Sequence, residues 1–314
     1  MSGDIRELMK DRGDDPQYHP MTLSYHDGDD VIAMPVKVKA RGHFRKAKEN
    51  CRMPPLLLNF PKKSVPDNSI FKGQDKIKLV TPCQDDDYVI REYLVYKLYK
   101  LINPKSFQAK LVTVVFDDTV RNRSELFYGI LLEDEEEMAK RNNTIAIEGK
   151  LVRPEQTHKD DFLKMAVFQY MIGNTDWSVQ YMQNIKLIGT DSSAVLSPVP
   201  YDFDHAGIVG APYAKPAPEL IMSSTQQRRY RGYCITDMSE FDETLNLFRK
   251  LASDFSAVYT ECPQLESHYI KWATRYLGQF YSTINNPKAA KLAFSYPCDK
   301  DGTGNVVIRG LRED

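Results

Sequence analysis

The sequence has no Gly-x-Gly-x-x-Gly run, no Walker A lysine and no strand-turn nucleophile elbow around a serine. Dinucleotide binding of the Rossmann kind, P-loop chemistry and Ser-His-Asp hydrolysis therefore lack their usual sequence supports. It also has almost no net charge, with Lys+Arg 42 set against Asp+Glu 43. Nothing global steers such a chain to nucleic acid or to an anionic membrane. Cysteine is sparse, at 51, 83, 234, 262 and 298, with no Cys-x-x-Cys pair and an odd total. That pattern argues against a zinc site and against a disulfide framework. No apolar run approaches the ~18 residues of a membrane helix. The start, Met-Ser-Gly-Asp-Ile-Arg-Glu-Leu, has no apolar signal core. The expectation is a chain with no membrane span and no signal peptide of its own, cytoplasmic unless a leader was removed beforehand. Internal repeats and low-complexity tracts are missing too.

What is present is a globular composition. Hydrophobic residues make up 42% and aromatics 11% of 314 residues, enough for one large domain or two lobes. The first half reads mainly as strands after a short charged helix at 4–12. Runs at 20–25, 31–40, 56–60 and 76–81 are apolar or alternating and bounded by Asp, Gly and Pro. A helix over Asp86 to Ile102 follows, with Val89, Ile90, Tyr93, Leu94, Lys97, Leu98 and Leu101 as its buried stripe and Asn103-Pro104 as its stop. Two strands come next, near 108–116 and 126–133. The acidic run at 133–137 and the polar stretch to 156 read as a connector. Beyond it the chain is mostly helical: an amphipathic helix at 160–172 capped by Asp161, then long helices at 238–258 and 264–284. Short strands at 184–188 and 195–201 flank the turn Gly189-Thr190-Asp191. The expected class is α+β and bilobal: a mixed or antiparallel sheet lobe at 1–134, a hinge region at 135–156, and a mainly helical lobe at 157–314.

The chemistry concentrates between Met171 and Gly207. Asp176 follows Gly-Asn-Thr at a helix end, where an aspartate is either a turn former or a base for an attacking hydroxyl. Asn184 opens a strand; its amide oxygen is a neutral ligand for a hard cation. Asp202 and Asp204 close the next strand, and period-two spacing puts them on one side. Two such carboxylates are either solvated loop acids or need a cation or donors between them. A hairpin bringing Asn184 and Asp202 together, with Asp176 on the loop before it, would gather all three. His205 reads as a supporting hydrogen-bonding group, and Gly207 as a positive-φ residue or a place of close approach. In the first half Lys78, inside an apolar strand, needs a partner, and Glu92 on the following helix can supply one. Lys76 and Arg91 are rivals for those roles. Arg41-Gly42 is a phosphate-facing turn or a hairpin. The run Arg228-Arg229-Tyr230-Arg231 is a solvated loop or a phosphate-capturing patch. Asp299 to Asn305 has the wrong glycine and closing positions for a calcium loop and reads as a turn.

Several of these segments resemble the CotH-type spore-coat kinase family, an atypical branch of the protein-kinase-like fold. They are Val38-Lys39-Ala40-Arg41-Gly42-His43, Lys78-Leu79-Val80 with Asp87 and Arg91-Glu92-Tyr93-Leu94, Phe127 to Glu133, Asn174-Thr175-Asp176 and Tyr201-Asp202-Phe203-Asp204. The last two are also similar to the paired motifs of HipA-type kinases. The resemblance spans roughly residues 35–210. It implies a protein-kinase-like fold with a cleft between lobes, ATP with magnesium (or manganese in its place), and phosphoryl transfer to a Ser/Thr hydroxyl of a protein. Carried over, Asp176 is the catalytic base, Asn184 and Asp202 are metal ligands with Asp204 a nearby acid, and Lys78, Glu92 and Arg41 face the nucleotide. The eight positions from Asp176 to Asn184 exceed the usual catalytic-loop spacing, and His43 stands where the family has Asn. The other readings are an inactive kinase-like binding protein and an AMP-transferring enzyme on the same fold.

Overall fold

The computed structural model describes residues 1–149, 151–192 and 194–298. The turn read at Asp299 to Asn305 lies outside them. In chain order the elements are β1 (Ser2–Gly3), α1 (Ile5–Lys10), β2 (His19–Asp27), β3 (Asp30–Ala40), β4 (Leu56–Asn59), β5 (Lys76–Val80), α2 (Asp86–Ile102), β6 (Ala109–Asp118), β7 (Arg123–Leu132), α3 (Glu135–Arg141) and β8 (Ile145–Ile147). Then come α4 (Lys159–Ile172), β9 (Ile185–Gly189), β10 (Ser197–Pro200), α5 (Asp242–Lys250), α6 (Ala252–Thr260), α7 (Ser267–Ile284) and α8 (Pro287–Phe294). The class is α+β. Two compact units are present, one of Met1–Tyr93 with Ala109–Asp134, the other of Leu94–Gln108 with Glu135 onward. α2 gives its first turns to one and its last turns to the other. No helix among the described residues is long and apolar enough to cross a membrane.

The first unit is a closed barrel in the order β1-β2-β3-β4-β5-β7-β6. Its neighbours are antiparallel except for β1 and β6, which run parallel and close it. Closure follows from patterning. On β3, Ile32, Met34, Val36, Val38 and Ala40 are buried while most residues between them face out, the period of a strand with one apolar face. Leu56, Leu58, Leu79, Phe116 and Phe127 bring the same inward set from the other strands. A closed sheet exposes no unpaired edge.

Two sequence expectations about this unit need correction. The Arg41-Gly42 step is not a hairpin: β3 pairs with β4 only from Ala40 to Leu56, so residues 41–55 form a long loop. Disulfides form as well, against the expectation from an odd cysteine count and missing Cys-x-x-Cys pairs. Cys51 in that loop joins Cys83, 32 residues away, and in the second unit Cys234 joins Cys298, 64 residues away. Cys262 is free. Pairing across such separations is a product of the fold and leaves no spacing signature.

In the second unit α4 is the central rod. Every residue from Asp161 to Ile172 except Lys164 is buried, so it is a core helix, not the amphipathic one expected. Asp161 does not cap it. Its carboxylate accepts from Asn103 Nδ2 at 2.9 Å, Lys105 Nζ at 2.7 Å and Ser197 Oγ at 2.6 Å. One aspartate thus ties the segment after α2 to α4 and β10. The segment read as a connector carries α3 and β8, and β8 completes the three-stranded sheet β10-β9-β8. The helix expected over 238–258 is broken at Leu251, where ψ is 6°. The break lets Phe248 and Phe255 meet edge to face at 5.9 Å. α7 is amphipathic as expected, burying Tyr269, Ala273, Tyr276, Leu277, Phe280 and Ile284. α2 matches its expected span, but Lys97 and Leu101 in its expected stripe are exposed.

The Asp161 network gives a pH prediction. Burial alone would raise this carboxyl, but the bonds from Lys105, Ser197 and Asn103 outweigh it and hold the group below its ordinary value. A group depressed in the folded state adds stability above its unfolded pKa of about 3.9. That stability is lost as pH falls through the folded value. The wild-type Tm should therefore drop more steeply below about pH 4 than that of Asp161→Ala. At neutral pH Asp161→Ala should cost about 3 kcal/mol, because it leaves the Lys105 ammonium without its carboxylate. Parallel thermal denaturation from pH 3 to 7 checks both; identical acid slopes would refute the first.

Candidate active site

α4 ends where Gly173 turns left-handed at φ 70°. Gly173 N donates to Tyr170 O at 3.2 Å and Asn174 N to Gln169 O at 2.9 Å, the paired bonds of a Schellman turn. A Cβ on Gly173 would also lie 2.1 Å from the Tyr276 hydroxyl. The next residues are held by their own side chains. Asn174 Oδ1 accepts from Asp176 N at 2.9 Å, and Trp177 Nε1 donates to Asn174 O at 3.2 Å.

From here the chain makes a small turn. Ser178 and Gln183 form an antiparallel bridge with two backbone bonds of 2.9 Å. The turn absorbs the long spacing noted above and folds Asn184 back onto Asp176. Asn184 Nδ2 donates to Asp176 O at 2.8 Å and to Asp176 Oδ2 at 3.0 Å. Gln183 Nε2 donates to Asp176 Oδ1. Both Asn184 amide hydrogens are committed to Asp176, which fixes its orientation. Its Oδ1 accepts no hydrogen bond among the described residues.

The β9–β10 hairpin follows. Pro200 pairs with Ile185, and Tyr201 N donates to Asn184 O at 3.0 Å. The start of one strand and the end of the other are side by side, so Asp202 follows a residue bonded to Asn184. Asn184 and Asp202 are both left-handed, with φ of 51° and 59°. Asn and Asp adopt this region more readily than most residues, yet at a cost of about 1–3 kcal/mol each. Asp202 N donates to Tyr96 OH at 2.9 Å. Phe203 is buried against Tyr96 and Phe168, with ring centroids at 4.8 and 5.6 Å. Asp202 and Asp204 lie beyond the end of β10, so the alternation argument for placing them on one side does not apply. Asp204 is 5% exposed, and Tyr213 OH donates to its Oδ2 at 3.2 Å. The His205 ring meets Tyr213 edge to face at 5.8 Å. Gly207 serves close approach: a Cβ there would lie 2.3 Å from Thr225 O.

Electrostatics link these groups. Burial pushes the Asp176 carboxyl above its ordinary value, and the Asp204 charge adds to that; His205, Arg231 and the Asn184 bond pull the other way. A half-buried carboxylate with two amide donors and a raised proton affinity is suited to accept a proton. Two further carboxylates and an amide oxygen are hard donors, the set from which magnesium draws one or two protein ligands beside phosphate and water oxygens. Among the described residues no three His, Cys, Asp or Glu side chains form a metal cage.

In the first unit Lys78 is 8% exposed on β5, whereas Lys76 is exposed beside Asp75. Glu92 is buried on α2 and receives Arg45 Nη1 at 3.3 Å. Arg45 also donates to Thr81 O. The sequence reading did not consider Arg45. Arg91 pairs with Asp87 at 3.0 Å. Arg41 is half-buried just past β3.

The basic run is neither a solvated loop nor an open anion patch. Arg228 Nε donates to Met171 O at 3.0 Å and stacks on Tyr276 at 3.7 Å. Arg229 Nη1 donates to Leu220 O at 3.1 Å and to Tyr296 OH at 2.7 Å. Arg231 Nη1 donates to Thr175 O and to Trp177 O, the latter at 2.8 Å. Gln183, Tyr96 and Tyr213 were missed altogether, and their residue types carried no distinguishing signal.

No family model and no curated protein matches the chain. Among solved structures it is similar to the crystal structure of the proinflammatory kinase CtkA of Helicobacter pylori, at 12% identity and a TM-score of 0.41, covering 71% of this chain and 90% of that one. At that superposition the likeness does not by itself define the fold or the chemistry of this chain.

Proposed function

We propose that the chain is an atypical, CotH-like protein kinase that moves the terminal phosphoryl group of ATP to a Ser/Thr hydroxyl of a protein. The observation that carries this reading is the interlock of Asp176 with Asn184, and of Asn184 with the residue preceding Asp202. It supports one locus for a base and two oxygen ligands. Asp176 accepts the proton of the acceptor hydroxyl and orients it. Asn184 Oδ1 and the carboxylates of Asp202 and Asp204 are the groups that would hold magnesium. The ion, when bound, neutralises phosphate charge. In the first unit Lys78, Glu92 and Arg41 are assigned to the nucleotide on their own chemistry. Phosphoryl transfer asks the protein mainly for positioning and electrostatics, which suits a loop so heavily hydrogen-bonded.

Intact-mass analysis of the purified protein, alone and with a generic Ser/Thr-rich protein such as casein, after incubation with ATP and magnesium tests this. A phosphate adduct is expected, with a rise in Tm only when both are present. An AMP adduct would reassign the chemistry to AMP transfer. No adduct and no thermal shift would leave a kinase-like binding protein.

A further inference from the structure

All three peptide units around Asp176 are held in place. In the first, Asp176 N is bound to Asn174 Oδ1 and Thr175 O to Arg231 Nη1. In the second, Asp176 O is bound to Asn184 Nδ2. In the third, Ser178 N is bound to Gln183 O and Trp177 O to Arg231 Nη1. One guanidinium, 54 to 56 residues downstream, therefore takes the carbonyls on both sides of the proposed base. It also lies 5.7 Å over the Trp177 ring. Asn174 O, Asp176 O and Ser178 O are met from Trp177, Asn184 and Gln183; among the described residues Thr175 O and Trp177 O are met from Arg231 alone.

We infer that Arg231 is a positioning residue for Asp176, fixing the backbone on either side of it and so the direction of its carboxylate. This rests on the kinase reading. An arginine suits the task because its planar fork offers several donors at fixed angles, which one ammonium cannot copy. Burial lowers the Arg231 pKa to about 10, which leaves it charged at neutral pH. The neighbouring Arg228 holds Met171 O, so two arginines of the run brace the end of α4 and the loop after it.

The test compares Arg231→Gln and Arg231→Lys with the wild type in two measurements. The first is kinetics. A small displacement of a base costs on the order of 100-fold in rate, so kcat should fall about 100-fold in Arg231→Gln while KM for ATP stays within about 2-fold. Arg231→Lys keeps the charge and should recover only part of the loss. The second is hydrogen exchange, which needs no activity. Amides at 174–184 should exchange at least about 10-fold faster in both variants, with α7 unchanged. Wild-type kcat in Arg231→Lys, or unaltered exchange at 174–184 in both variants, overturns the inference. If instead wild type and Asp176→Asn are equally inactive while the exchange effect is seen, the kinase reading falls and the bracing of the loop stands.

Discussion

Asp176→Asn is expected to lower phosphate transfer by about 1,000-fold, within the range for loss of a general base, while KM for ATP changes little. The expectation comes from how the carboxylate is held. Its two oxygens receive one amide each, from Gln183 and Asn184. An asparagine at 176 keeps one oxygen and sets an NH2 group against a donor, losing one hydrogen bond worth about 1 kcal/mol. Against this, a neutral amide no longer bears the cost of burying a charge, the cause that pushes this carboxyl upward in the wild type. The two terms nearly cancel, so the variant should fold with a Tm within a few degrees of wild type. That separates it from variants that are inactive because they are unfolded. Transfer by Asp176→Asn within 10-fold of wild type would remove the aspartate from the role of base.

The second large effect is on stability. Closing loops of 32 and 64 residues by disulfides is worth about 4 kcal/mol each in the chain-entropy description. Cys51→Ser with Cys83→Ser should therefore lower the melting temperature by roughly 10 °C. The bond does more than shorten the unfolded chain. Cys51 lies in the loop that carries Arg45, Arg52 N donates to Cys83 O at 3.0 Å, and Arg45 reaches Glu92. Releasing the loop should weaken that buried ion pair as well. Cys51 and Cys83 are buried while Cys234 is exposed, so mild reductant should open Cys234–Cys298 first. Thiol titration of the native, unreduced protein should give one reactive group, Cys262. Five would show that neither bridge forms.

Much of the site was legible because it depends on short-range order. Strand, turn and strand from Asn184 to Tyr201 sufficed to bring the start of β9 beside the end of β10, whereas alternation puts Lys76 and Lys78 on one face and could not tell the exposed lysine from the buried one. The misreadings share a cause. Asp161 looks like a helix cap until Lys105 and Ser197 arrive from distant segments. Arg231 looks like surface charge until the loop at 175–177 presents its carbonyls. The cysteines look unpaired because their partners are far along the chain. Polar groups whose partners come only through tertiary structure give no local periodicity, and the break at Leu251 answers to Phe248 and Phe255 packing, not to any Gly or Pro.

The left-handed backbone at Asn184 and Asp202 restricts the alphabet at these positions before any chemistry is considered. Gly, Asn and Asp are the inexpensive choices there. A homologue that had lost its activity could keep both residues merely to preserve the path of the chain. Asp202→Glu, though it retains the charge, would suffer in reach and in conformation together, whereas Asp202→Asn would alter charge alone. The pair of substitutions thus distinguishes what the polypeptide requires at this point from what a bound cation would require.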